Sequence, residues 1–489
     1  MSRIITNVSS LIAQRSLRAQ NNALTRSLER LSTGYRINRG ADDPAGLIAS
    51  ENLRAEKKAI GAAINNADRA GQVVNVAEGG LQEVSSLLQE LQGLVGSTAN
   101  EAGLSDEERE ANQLQIDSIL QTIDRIANAT SFQGQKLLNG TFDYTTSGID
   151  TSLLTNVKVN AAKLSDGAGS FMTVTVDVQT SAQTATTFLS TASALNGGGQ
   201  SYTLEVTGNR GTQQFTFASG TSQANIIDAI NQFSEVTGVS AAVDGTDTDL
   251  VRLDSLDYGS SQFVQAKKLD GALNNAILDD TRANGSDNRK DLGRDAIVLI
   301  NGTQATTDGL TARVSSDGLD VTISIAGDDA NINSDGQSQS FYITGGGATF
   351  SLAPTVNLAG KVSIGIETVT TGNIGEAVDG FLSALKSGGA ANVLNGDLDK
   401  AQRIIDAGIK QVSALRGRLG AFQSNVVGAT VRSLGVTLEN TAAAESQIRD
   451  TDFAQETADL TRSQILVQSA TQVLSIANSQ PQAVLSLLG

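Results

Sequence analysis

Near both ends of this 489-residue chain, apolar positions recur with a period of seven. Phe453, Leu460, Val467 and Leu474 fall on one count that Leu488 continues, and Ala470, Ala477 and Val484 lie three residues further along. That a/d spacing predicts a terminal helix over about 450–489 built to pack on other helices. Ile465, Leu466 and Val473 lie outside the stripe, so one partner helix would not cover every apolar position. At the other end, between Ser2 and Leu31, Ile4, Val8 and Leu11 begin a stripe that Leu17, Leu24, Leu28 and Leu31 continue. No proline interrupts this run, and Gly34 stands where a helix stop is expected. Read singly, each segment is an amphipathic helix of a globular core. Found together at opposite ends of a long chain, they predict a coiled coil made by the two termini.

Between these ends the pattern changes twice. Turn formers crowd Thr33 to Gly46, and Pro44 sits where a first helical turn accepts it. A helix over about Gly46–Asn100 follows, with Leu53, Ile60, Ile64, Ala67, Val74, Leu81, Leu88 and Val95 in a stripe. Gly79-Gly80 weaken it, each by about 1 kcal/mol. Ser105 and Glu108 form a capping-box pattern before a helix through Leu114, Ile116, Ile119, Leu120, Ile123 and Ile126, and 131–138 reads as a hairpin. From about Asn139 to Gly389 the chain is rich in Thr, Ser, Gly and Asp, with strand-like alternation in Tyr202–Val206, Phe215–Phe217 and Val321–Ile325. One helix is expected there, Gln223 to Phe233. Helical periodicity returns after Gly389, from Leu394 through Leu415, Leu419 and Phe422 to Leu438. The fold class is therefore mainly α: long N- and C-terminal helices pair as a coiled coil or helical bundle, and one or two β-rich α+β domains are inserted. Antiparallel pairing of the helical halves would put the insert at one pole and both termini at the other.

Composition narrows the chemistry. The chain has no His, Cys or Trp, only 3 Pro, and 4% aromatic residues, which suits long thin helical packing better than a wide globular interior. Without His and Cys no Ser-His-Asp triad, thiol nucleophile, HExxH zinc site or His-ligated haem can be written. The 52 acidic residues show no recognisable catalytic pairing, so no enzyme, cofactor or metal is expected. Asn331, Asn333, Asp335 and Gly336 resemble the start of a calcium loop, but Tyr342 occupies the position of the bidentate acid, and a polar turn is the reading. The Gly197–Gly199 and Gly345–Gly347 runs lack the fingerprint of a phosphate loop. A net charge of -17 argues against nucleic acid. The arginine-rich start resembles a mitochondrial presequence, yet a cleaved presequence would have no counterpart at the C-terminus. No stretch is apolar and long enough to predict membrane insertion.

Specific motifs then add a family. Leu28–Asn38 with Ala41–Gly46 resembles the N-terminal signature of bacterial flagellin, and Ile123–Ile126 with Phe132–Leu138 is similar to the end of its N-terminal helical half. Ile448–Ala454, Gln464–Leu466 and Pro481–Leu488 resemble its C-terminal half. Ser201–Val243 is similar to a small repeat of some flagellins and hook proteins. The resemblance implies a filament subunit for swimming motility, a homo-oligomer located in the extracellular flagellum. It would be exported through the flagellar type III apparatus with an export chaperone, and meet cap and hook–filament junction proteins. The related junction protein is the alternative, and the insert of a filament subunit could in addition act as an adhesin.

The same resemblance implies an organisation. Residues 1–45 would form the N-terminal inner-core helix and spoke, 46–140 the outer-core helices and hairpin, and 141–389 the variable outer domains. Residues 390–445 would be the C-terminal outer-core helix and 446–489 the inner-core helix. The polymerisation interface is expected at Ile4, Val8, Leu11, Leu17, Leu24, Leu28 and Leu31 with Phe453, Leu460, Val467, Leu474, Val484 and Leu488. Flagellins are sensed by an animal Toll-like receptor through a segment that Leu88, Gln89 and Leu94 match. Glu90 and Gln92 stand where sensed flagellins carry arginine, and Gln115 where they carry glutamate, so weak or absent activation is expected.

Overall fold

The computed structural model describes residues 6–100, 103–164, 171–190, 201–218, 220–247, 249–270, 277–278, 286, 288–316, 318–327, 335–376 and 379–485. Ile4 and Leu488, the Gly197–Gly199 run, and Asn331 and Asn333 of the discounted calcium loop lie outside them. So does the side chain of Val484. Two compact units are distinguishable, one of residues 1–74, 351–360 and 420–489, the other of 75–350 and 361–419.

In the first unit, helix α1 (Val8–Thr33) begins at Asn7, whose side chain caps the Ser10 amide, and stops at Gly34, which takes φ 76°. That left-handed turn is cheap only for glycine. Helix α2 (Pro44–Thr98) starts at the predicted proline. Its early turns pair with the C-terminal side of the chain, where Lys57 and Arg54 meet Glu445. The C-terminal helix of this unit has two features with no signal in the heptads. Phe422–Val427 forms a π-helical turn, and the helix from Gly428 ends at Arg449, so that Asp450–Asp452 separate it from the terminal helix.

The second unit joins helices to sheets. Helix α3 (Asp106–Ala129) carries the complete capping box between Ser105 and Glu108. The hairpin 131–136 turns through Gln133 and Gly134, both with positive φ. Gly80 of α2 lies under it: a Cβ there would stand 2.7 Å from Thr130 Oγ1 and 2.8 Å from Leu138 Cδ1. The helix expected from 390 begins instead at Leu398 (α5, Leu398–Ala421; α4, Gln223–Asn231, lies in the insert). The preceding stretch is held in turns because the Asn392 side chain accepts the amides of Leu394 and Asn395. Ala401, Ile405, Gly408, Val412, Leu415 and Leu419 form its buried face.

The insert contains two separate hydrophobic cores. A five-stranded sheet (order 303–304, 297–300, 172–180, 338–346, 144–147) and a four-stranded sheet (306–308, 311–315, 319–325, 154–162) share the first. Val174, Val176, Phe341 and Ile343 meet Val321 and Ile323 there, as period-two alternation requires. Within the loop between strands 172–180 and 297–300 sits the second core. It lies between sheets 277–278/186–190/250–255/239–243 and 288–292/263–270/202–208/212–217, with helix α4 (Gln223–Asn231) contributing Ile226 and Ile230. The two chain crossings into the insert run side by side, since Val369 N donates to Leu138 O and Ile366 N to Phe142 O. Arg418 of α5 grips the first sandwich through Asn160, Gly365 O (3.1 Å) and Glu367 (3.2 Å).

Candidate polymerisation surface

Helices α1 and the terminal α7 (Phe453–Leu485, following α6, Gly428–Arg449) form an antiparallel pair. Asn7 Nδ2 donates to Ala477 O (2.7 Å) and Ser10 Oγ to Asn478 Oδ1 (2.7 Å) at one end. Arg30 meets Glu456 at 3.5 Å nearer the other. The turn is closed by Arg36 N to Arg449 O (2.7 Å), Thr451 N to Gly34 O (2.9 Å), and the Arg449 guanidinium 4.8 Å over the Tyr35 ring. Asp42 ties down the spoke: the Arg39 amide bond holds its carboxyl below the ordinary carboxylate range.

The seam of this pair differs from the apolar stripe read in the sequence. On α1 it runs through Ser10, Ala13, Leu17, Gln20, Leu24, Ser27 and Leu31; on α7 through Glu456, Leu460, Ser463, Val467, Ala470, Leu474 and Ala477. The three-and-four spacing is heptad, but every other position is small or polar. Leu17, Leu24, Leu31, Leu460, Val467 and Leu474 therefore lie in the seam as expected, half-buried. Val8, Leu11, Leu28 and Phe453 do not. Leu11 is 57% and Phe453 58% exposed, because their rotation around each helix carries them past the partner. They join Ile12, Ile465, Leu466, Val473 and Ile476 in a second, outward apolar set. Ile12 and Ile476 went unmarked in the heptad reading. The signals that could have found them are local: Ile12 adjoins Leu11, and two neighbours on a helix cannot both face one seam, while Ile476 lies three residues after Val473, already outside the stripe. These nine side chains, each about half exposed, represent on the order of 10 kcal/mol of burial at about 25 cal/mol per Å².

The residues expected to meet an animal receptor separate in the same way. Leu88 is 0% exposed, packed with Leu81, Val84 and Leu91 towards Gly408 of α5, so it offers no surface to any partner. Its place in the α2 stripe requires this. Gln89 and Glu90 are exposed and Leu94 is half-buried. Gln92 is engaged with Asp406 at 2.8 Å.

Among the described residues no cluster of three acidic, His or Cys side chains could hold a metal, and no helix is long and apolar enough to cross a membrane. What the geometry offers is a set of exposed apolar side chains on paired terminal helices.

Comparison with known proteins matches that architecture at both ends. Residues 4–143 match the bacterial flagellin N-terminal helical region, 402–488 the C-terminal helical region, and 194–253 the flagellin hook IN motif. The B-type flagellin of Pseudomonas aeruginosa is 30% identical over 99% of this chain and 99% of its own. The chain belongs to the bacterial flagellin family. Flagellin D of Vibrio anguillarum is 30% identical (99% and 98% covered) and flagellin A of Helicobacter pylori 27% (99% and 99%). Among solved structures, the D1-D2-D3 domains of the flagellar cap protein FliD from Escherichia coli align at a TM-score of 0.29 and 16% identity, over 67% of this chain and 86% of that one. As a flagellin the chain is a structural subunit of the bacterial flagellar filament, the extracellular organelle of swimming.

Proposed function

We propose that this flagellin polymerises by covering the outward apolar set of the α1–α7 pair with the same pair from neighbouring subunits. The observation that carries this reading is the division of labour within the two heptads. Small and polar residues close the intramolecular seam, while Val8, Leu11, Ile12, Phe453, Ile465, Val473 and Ile476 stay in water. A monomeric soluble protein rarely leaves so many large apolar side chains exposed on one helix pair. Residues 1–45 and 446–489 then form the inner core and 46–140 with 390–445 the outer core. The two lobes of 141–389 face solvent.

Export as an unfolded chain through the flagellar type III apparatus, guarded by a chaperone, accords with this surface, which would aggregate if free in the cell. Cap and junction proteins presenting similar terminal helices would meet it at the filament ends. The exposed carboxylate of Glu90 supports weak activation of the Toll-like receptor, through Gln89, Glu90 and the half-buried Leu94 rather than Leu88. Truncation tests the core of the proposal. Removal of Leu474–Gly489 is expected to give a soluble chain with its insert folded that forms no filaments. Filaments of normal length from that chain would refute it.

A further inference from the structure

The outer face of the sheet 277–278/186–190/250–255/239–243 opens into a cavity of about 470 Å³ that plays no part in the helical surfaces above. Its lining is unusual for the outside of a sheet. Asp244, Asp254 and Asp291 line it together with Arg252, Arg294 and Tyr258. The carboxylates are held in fixed orientations. Asp254 accepts Thr186 Oγ1 (2.9 Å) and Arg252 Nε (2.6 Å), Asp291 accepts the Thr186 amide (2.8 Å), and Asp244 accepts the Asp247 amide (2.9 Å). Asp244 is only 3% exposed. Burial pushes the Asp254 carboxyl up. Buried charges of this kind add little to stability compared with apolar packing, which makes a cleft that keeps them a candidate site.

The donor and acceptor inventory selects the ligand. Three carboxylates against two guanidinia leave the cavity close to neutral, so neither a strong anion nor a strong cation is favoured. The Asp254 and Asp291 carboxylates can accept further hydrogen bonds, and the Arg252 Nη groups and the exposed Arg294 guanidinium supply donors. Paired acceptors and donors are what adjacent hydroxyls require. The volume lies within the range of small-ligand pockets, about 300–1,000 Å³. We propose that this cavity binds a neutral saccharide of one or two rings. It would act independently of filament assembly.

The test uses the full-length monomer and ligand-observed saturation-transfer NMR with lactose, maltose and N-acetylglucosamine, alongside 3′-sialyllactose and spermidine. Transfer to at least one neutral sugar is expected, weakened about tenfold by Arg294→Ala through loss of a charged hydrogen bond. Arg294 is exposed, so this variant leaves the fold intact, as circular dichroism would verify. Three results would each overturn the proposal: no transfer to any neutral sugar, transfer unchanged by Arg294→Ala, or stronger transfer to sialyllactose or spermidine.

Discussion

Two adjacent glycines in the middle of α2 are predicted to respond to alanine with opposite signs. A Cβ at Gly79 meets nothing within 4 Å, whereas one at Gly80 stands 2.7 Å from Thr130 Oγ1, 2.8 Å from Leu138 Cδ1 and 3.1 Å from Thr130 Cγ2. Both substitutions gain helix propensity of about 1 kcal/mol. At Gly80 that gain opposes a clash whose partners cannot yield. Thr130 Oγ1 is bonded to Ile126 O (2.8 Å) and its carbonyl accepts the Leu137 amide (3.1 Å). Leu138 is fully buried and its carbonyl accepts Val369 N. Overpacking of this kind costs about 1–3 kcal/mol. Because the propensity gain is common to both variants, Gly79→Ala should exceed Gly80→Ala in stability by about 1–3 kcal/mol. Thermal unfolding of the monomer followed at 222 nm would read this as a separation of roughly 1–2 °C per kcal/mol. Faster amide exchange in α3 and its hairpin is expected for Gly80→Ala alone. Equal shifts in the same direction for both variants would refute the reasoning.

Three further outcomes are expected. Replacing Tyr144–Gly365 by a short Gly-Ser linker should still give filaments by electron microscopy, because the chain crossings at Leu138–Phe142 and Ile366–Val369 are already hydrogen-bonded neighbours. Asp143→Asn should stabilise the protein at pH 7. Burial, with Glu367 nearby, raises the Asp143 carboxyl above its ordinary value of 3.8. The fold therefore favours the protonated form, and the carboxylate weakens it as pH rises through the raised value. The advantage of the asparagine, read in denaturant melts, should vanish below the ordinary value. Glu90→Arg, at an exposed position of α2, should increase activation in Toll-like-receptor reporter cells without changing monomer stability by more than about 0.5 kcal/mol.

Elements whose signals are local were legible in the chain itself. The Gly34 stop, the Ser105–Glu108 capping box, Pro44 at a first turn and the 131–138 hairpin depend on a few neighbouring residues, and all stand where they were read. The alternation of Tyr202–Val206 and Val321–Ile325 likewise became buried and exposed faces. What was hidden depends on a partner. A heptad count fixes the period of a stripe, but not which of two overlapping stripes faces the neighbouring helix. Large apolar residues drew attention to Val8 and Phe453 while Ser10, Ala13 and Ser463 made the seam. Leu88 was misread for the complementary reason. Family position suggested a surface, whereas its own stripe with Leu81 and Val95 already specified burial. The nesting of one sandwich within a loop of another leaves no periodic trace, since it is set by pairings more than a hundred residues apart, such as Phe341 with Val174.

The claim that neighbouring subunits cover the outward apolar set is tested most directly at Val473, which is 56% exposed. Purified Val473→Asp monomer would be added to fragmented wild-type filaments and elongation followed by light scattering and electron microscopy. An aspartate facing solvent leaves the monomer's helicity unchanged, but one buried between subunits without a partner costs several kcal/mol. Wild-type circular dichroism and no elongation are expected. Filaments growing from Val473→Asp at the wild-type critical concentration would contradict it.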